Sequence, residues 1–181
     1  LISRIKAMQN NIHLKWMLDC DSSLKTIPSI IDNLCQPSNK IVRLDLSAVP
    51  FEANARELLV NAIGRKLLAC ARDNENPLLV FIDESHQFLN KSIGDEISKM
   101  NLTAFGDIAK EGRKYGLNVV IATQRPRDIP EDVLSQIGTL IVHRLTNEKD
   151  QDIVKKAVGS IDNRSAAFLP VLGQGEALLL G

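Results

Sequence analysis

Five apolar residues, Leu78-Leu79-Val80-Phe81-Ile82, run without a break into two acids, Asp83-Glu84. Strand side chains alternate between faces, so an uninterrupted apolar run predicts a strand covered on both sides, as in a parallel α/β sheet. Asn118 to Thr123 (NVVIAT) repeats the pattern, and Thr139 to Leu145 (TLIVHRL) and Glu176 to Leu180 add two more strands. Ile41 to Ser47 (IVRLDLS) alternates apolar and polar residues, which predicts a strand buried on one face.

Helical periodicity fills the intervals. Glu52 to Arg72 places Ala55, Leu58, Leu59, Ala62, Ile63 and Leu67 on one side. A helix from Thr103 to Tyr115 ends at Gly116, a short helix follows Pro130, and another is capped near Asn147. Upstream, Leu1 to Trp16 reads as an amphipathic helix, and a second starts near Ser22 or Ser23. Strands alternating with helices predict a mostly parallel α/β sheet with helices on both faces. Residues 1–40 form a helical segment ahead of that core, which occupies residues 41–181.

The 22 basic and 22 acidic residues cancel, so no broad basic face is expected and any nucleic-acid contact must be local. No apolar run approaches the ~20 residues of a membrane span, and Leu1 to Ile5 show no charged leader followed by an apolar stretch, so no signal peptide is expected. Cys20, Cys35 and Cys70 form no C-x-x-C pair and have no histidine at zinc-site spacing. Reduced, buried thiols in a cytoplasmic protein are expected. The chain begins with Leu1, which reads as a fragment or a processed segment.

Ligands of open α/β sheets bind beyond the carboxyl ends of the strands, where Asp83 and Glu84 fall. Two buried carboxylates cost several kcal/mol each unless a cation or donors offset them. An Mg²⁺ ion reached by Asp83 answers that cost, and Glu84 is then placed to polarise a water beside a terminal phosphate. The plainer account is a strand that ends in acids because loops are polar. His86 has no partner ligands at metal spacing and reads as a hydrogen-bonding neighbour of the acids. Gln124 ends the NVVIAT strand; it serves either as a phosphate-sensing amide in the same crevice or as a turn residue before Pro126. Arg113 and Lys114 suit a helix C-terminus by charge alone; a transition-state arginine is the functional alternative.

Three stretches, LLVFIDESHQFL (Leu78 to Leu89), IAKEGRKYGLNVVIATQRPRDIPEDVLSQIGTLIVHRLTNEKD (Ile108 to Asp150) and LPVLGQGEALLLG (Leu169 to Gly181), together resemble the HerA branch of the FtsK/HerA superfamily of ATPases. The resemblance implies the C-terminal part of a RecA-like P-loop NTPase core and leaves residues 1–40 unassigned; an insertion in the ATPase domain is one reading of that helical segment. It implies Asp83 as the Walker B acid at Mg²⁺, Glu84 as catalytic base, Gln124 as polar sensor and Arg113 as a trans-acting arginine with Lys114 assisting. ATP as cofactor, a homo-hexameric ring, movement on double-stranded DNA, and a nuclease or anti-phage effector partner are implied in the same way. A conjugation or secretion ATPase of the superfamily shares the chemistry with other partners. No G-x-x-x-x-G-K-[ST] loop occurs in the 181 residues. The resemblance places that loop upstream, so these residues alone should bind ATP poorly or not at all. A non-catalytic assembly platform is the contrasting expectation.

Overall fold

The computed structural model of the chain describes residues 6–7, 9–18, 26–37, 41–74, 76–89, 92–93, 100–158 and 163–181. In chain order the first elements are α1 (Lys15–Leu18), α2 (Ile27–Leu34), α3 (Ala55–Asp73), β1 (Leu78–Ile82), β2 (Ser92–Ile93) and β3 (Met100–Asn101). They are followed by α4 (Ala104–Glu111), β4 (Leu117–Ile121), α5 (Glu131–Leu134), β5 (Leu140–Val142), α6 (Glu148–Val158), α7 (Asn163–Phe168) and β6 (Leu178–Leu180).

Strands β1 and β4 pair in parallel, Leu78 opposite Leu117 through Ile82 opposite Ile121. The crossover between them runs through α4, as a parallel pair requires. Strands β2 and β3 pair antiparallel, as do β5 and β6. Among the described residues no ladder joins β4 to β5.

One face of the β1–β4 pair lies on the main core. Leu78, Val80, Val119 and Ile121 pack there against buried residues of α3 and α4, including Leu67, Leu68, Phe105 and Ile108. The expectation of cover on both faces fails for the other side. Leu79 and Phe81 are 58 % and 71 % exposed, and Val120, opposite Phe81, is also exposed. An apolar run states which environment a strand suits, not which neighbours reach it. A second cluster joins β5 and β6 to α6 and α7 through Val142, Val154 and Leu169.

The expected strand at Ile41 to Ser47 is absent, and Ile41 is 99 % exposed. No described strand pairs with it. The Ser47 amide instead donates to Asp45 Oδ1 at 2.9 Å, turning the chain and holding that carboxyl below its usual pKa. Arg56 ties this segment to the start of α3. Its guanidinium donates to the carbonyls of Val49 (2.7 Å) and Ser47 (3.1 Å) and stacks on Phe51.

The first expected helix is interrupted. Residues 6–7 and 9–10 are helical, but residues 12–14 turn, with the His13 amide donating to Asn11 Oδ1 at 2.9 Å, before α1 begins. The Asn11 side chain competes with the helical ladder at that point. The second helix is capped by Thr26; Ser22 and Ser23 lie outside the described residues.

Helix α2 packs into the main core, and Cys35 at its end is bridged to Cys70 of α3 by a disulfide, with Cα atoms 6.4 Å apart. This corrects the expectation of free thiols. The two positions are 35 residues apart in sequence, and only the packing of α2 on α3 reveals them as neighbours. Asn76 reinforces the junction by donating to the Cys35 carbonyl at 2.9 Å.

Two predictions follow from these elements. Gly116 has φ 71° and accepts from the Leu78 amide at 3.0 Å, so the turn entering β4 needs a left-handed residue. Gly116→Ala should lower unfolding free energy by about 1–2 kcal/mol, measured by denaturant titration. Breaking the Cys35–Cys70 bridge reopens a long loop, worth about 3–4 kcal/mol in chain entropy. Cys70→Ser, or reductant, should therefore lower the thermal midpoint.

Candidate functional site

The parallel ladder continues past the ends of both strands. The Ala122 amide donates to the Ile82 carbonyl at 2.9 Å, and the Ala122 carbonyl accepts from both the amide (3.0 Å) and the Oγ (2.9 Å) of Ser85. Ser85 is fully buried. Asp83 and Glu84 are thus looped out between two anchored residues. Glu84 adopts φ 46°, ψ 42°, and its amide donates to Asp83 Oδ1 at 3.0 Å. A non-glycine residue in this left-handed region costs about 1–2 kcal/mol, and such residues concentrate at functional sites.

The turn aims Glu84 at the end of β4. Gln124 Nε2 donates to Glu84 Oε1 at 2.7 Å. On the other side, His86 Nδ1 lies 3.3 Å from Glu84 Oε2 and 3.2 Å from Thr123 Oγ1. Thr123 Oγ1 accepts from the Arg125 amide at 3.0 Å. Asp83, Glu84 and Gln124 therefore meet at the carboxyl end of the parallel pair. Asp83 and Gln124 are exposed and Glu84 is half-buried, so the carboxylates carry no heavy desolvation cost. The expectation of buried acids is corrected on this point, because the loop lifts both clear of the core.

Arg113 and Lys114 stand elsewhere. They lie exposed in the turn Gly112–Tyr115, before the first residue of β4. The strand alone separates that end from Gln124 by roughly 13 Å, four steps of about 3.3 Å. Arg72 braces the turn, pairing with Glu111 and standing 5.7 Å over the Tyr115 ring. Asn147 caps α6, its Oδ1 accepting from the amides of Lys149 (3.0 Å) and Asp150 (3.4 Å). Arg144 is exposed. Arg125 and Arg127 each lie 3.8 Å from an Asp128 carboxylate oxygen. Lys155 lies 3.5 Å from Asp152. Of residues 90–95, only 92–93 are described, as strand β2; Lys91 lies outside them.

The donor set suits Mg²⁺ bound as it binds alongside phosphates, through one or two carboxylates and retained waters. Asp83 is exposed, and only its Oδ1 is engaged by the Glu84 amide among the described contacts. No described group of three ligating side chains forms a protein cage. A separate concavity of about 120 Å³ lies between α3, α4 and α5, lined by Asn61, Phe105 and Asp132, and shares none of these site residues. Ser85 and Thr123 are functional neighbours that sequence reasoning missed. A single polar residue after two acids carries no periodic signal, and only the β1–β4 register reveals its partner.

The sequence profile described as "Helicase HerA-like C-terminal" matches residues 65–180. A DNA double-strand break repair helicase HerA of Pyrococcus furiosus is 39 % identical over 105 residues, covering 58 % of this chain and 18 % of the relative. The protein of that name from Sulfurisphaera tokodaii is 29 % identical over 150 residues, covering 78 % and 29 %. The chain thus spans less than a third of the length of these relatives. In fold it is similar to the genome packaging NTPase B204 of Sulfolobus turreted icosahedral virus 2, solved in complex with ATP-gammaS. That match has a TM-score of 0.58 at 16 % identity, over 86 % of this chain and 66 % of the other. With more than half its residues matched by the profile and a fold shared with that packaging NTPase, the chain belongs to the helicase HerA-like C-terminal family.

Proposed function

We propose that this chain supplies the hydrolytic carboxylates of a HerA-type, ATP-driven DNA translocase. The observation that carries the reading is the 2.7 Å hydrogen bond from Gln124 to Glu84 across the parallel pair. It joins a carboxylate able to take a proton to an amide able to report on a phosphate, at the rim where α/β sheets bind ligands. Glu84 accepts a proton from water as that water's oxygen bonds to the terminal phosphorus and the bond to the leaving nucleoside diphosphate breaks. Asp83 would hold Mg²⁺, which when bound neutralises phosphate charge. Gln124 can exchange its bond to Glu84 for one to a phosphate oxygen, coupling occupancy to the base.

Arg113, with Lys114 beside it, is too far from Glu84 to serve the same chain's groove. Its exposure on a braced turn suits insertion into a neighbouring subunit's groove, which supports a closed ring of like subunits, the homo-hexamer. Double-stranded DNA is the proposed track, on the strength of the relatives named as DNA repair helicases. A nuclease or anti-phage effector is the proposed partner, and the cytoplasm the proposed compartment. No described helix is long and apolar enough to cross a membrane.

The test is Glu84→Gln in the full-length protein. ATP turnover should fall by about 10²–10⁴-fold, the range of a positioned general base. Nucleotide affinity, measured by fluorescent-analogue titration, should stay within a few-fold. Unchanged turnover removes Glu84 as the base.

A further inference from the structure

We infer that His86 is a positioning residue for Glu84, holding the carboxylate in register with Gln124; the inference rests on the reading of Glu84 as the base. A carboxylate on a left-handed turn has two free side-chain torsions beyond its Cβ, and a base must be confined to act. Glu84 is confined from both sides. Gln124 engages Oε1 at 2.7 Å, and the His86 ring stands 3.3 Å from Oε2.

The tautomer follows from chemistry. An ionised carboxylate only accepts, so a bare ring lone pair facing Oε2 would be repelled, and Nδ1 must carry the proton. With Nδ1 protonated, Thr123 Oγ1, 3.2 Å from the same nitrogen, can share that proton, while it takes the Arg125 amide at 3.0 Å. Thr123 is the residue immediately before Gln124. His86 thereby fastens the turn that carries the base to the strand end that carries the sensor. Its side chain is 15 % exposed, so this placement is held by packing as well as by polar contact.

Three variants of the full-length protein and one spectrum test this. His86→Ala should lower kcat about tenfold with KM for ATP within about twofold, since a base displaced by a fraction of an ångström loses rate, not affinity. His86→Asn, whose amide can occupy the place of Nδ1–H, should recover kcat to within about threefold of the parent. In the nucleotide-free protein, ¹⁵N-histidine spectra should show His86 protonated at Nδ1, with a resonance that shifts in Glu84→Gln. An unchanged kcat in His86→Ala, or an Asn variant no better than Ala, overturns the positioning role. A spectrum showing the Nε2-protonated form overturns the contact itself, whether or not the variants fold. Full turnover in Glu84→Gln defeats the base assignment instead, and leaves the spectrum to report on the His86–Glu84 contact alone.

Discussion

The structure of the site depends on one short extension of a ladder. Beyond Ile82 and Ile121 the two strands stay coupled through Ala122, which donates to Ile82 and accepts twice from Ser85. Two donors from the buried Ser85 converge on one carbonyl at this junction, and the Ser85 side of both bonds is sealed from water. Between the anchors the chain has two residues with which to leave the ladder and return. That constraint forces Glu84 into its left-handed conformation and points its carboxylate across to β4. Without the clamp, Asp83 and Glu84 would be two acids on a loop.

Around this point the fold works as a rigid support. Helices α3 and α4 fill one side of the β1–β4 pair with Leu67, Leu68, Phe105 and Ile108. The buried carboxylate of Asp150 holds the turn that follows Gln124, accepting from the Arg127 amide at 3.3 Å. Gln124 is thus bounded upstream by the ladder and downstream by a turn docked on α6. Asp83 and Glu84 stand at the carboxyl end of the parallel pair, and Arg113 with Lys114 precede its amino end. On the proposed reading, a neighbouring subunit brings its Arg113 to each groove.

Much of this was legible in the residues themselves. The apolar runs at Leu78 and Asn118 predicted the two strands, and their polar ends marked the rim, because a strand interior and a strand end demand different chemistry. Gly116 was readable as a stop for the same kind of reason. What the sequence hid was pairwise. Cys35 and Cys70 are neighbours only once α2 lies on α3, and Ser85 and Ala122 only once β1 and β4 adopt their register. The alternation at Ile41 to Ser47 was a true pattern without a partner strand among the described residues, and the Asp45–Ser47 turn prevailed there. Periodicity reports one element's preference, whereas contacts are properties of two.

The backbone at Glu84 has a consequence for how this position tolerates change. Glycine would occupy φ 46° without steric penalty, and asparagine nearly so, while both discard the carboxylate. On the proposed reading the fold and the groove therefore pull position 84 in opposite directions, with about 1–2 kcal/mol of relief on offer to a replacement that removes the base. A selection for thermal robustness alone would drift toward glycine here, so under the proposed function the acid at position 84 answers a demand that stability does not make.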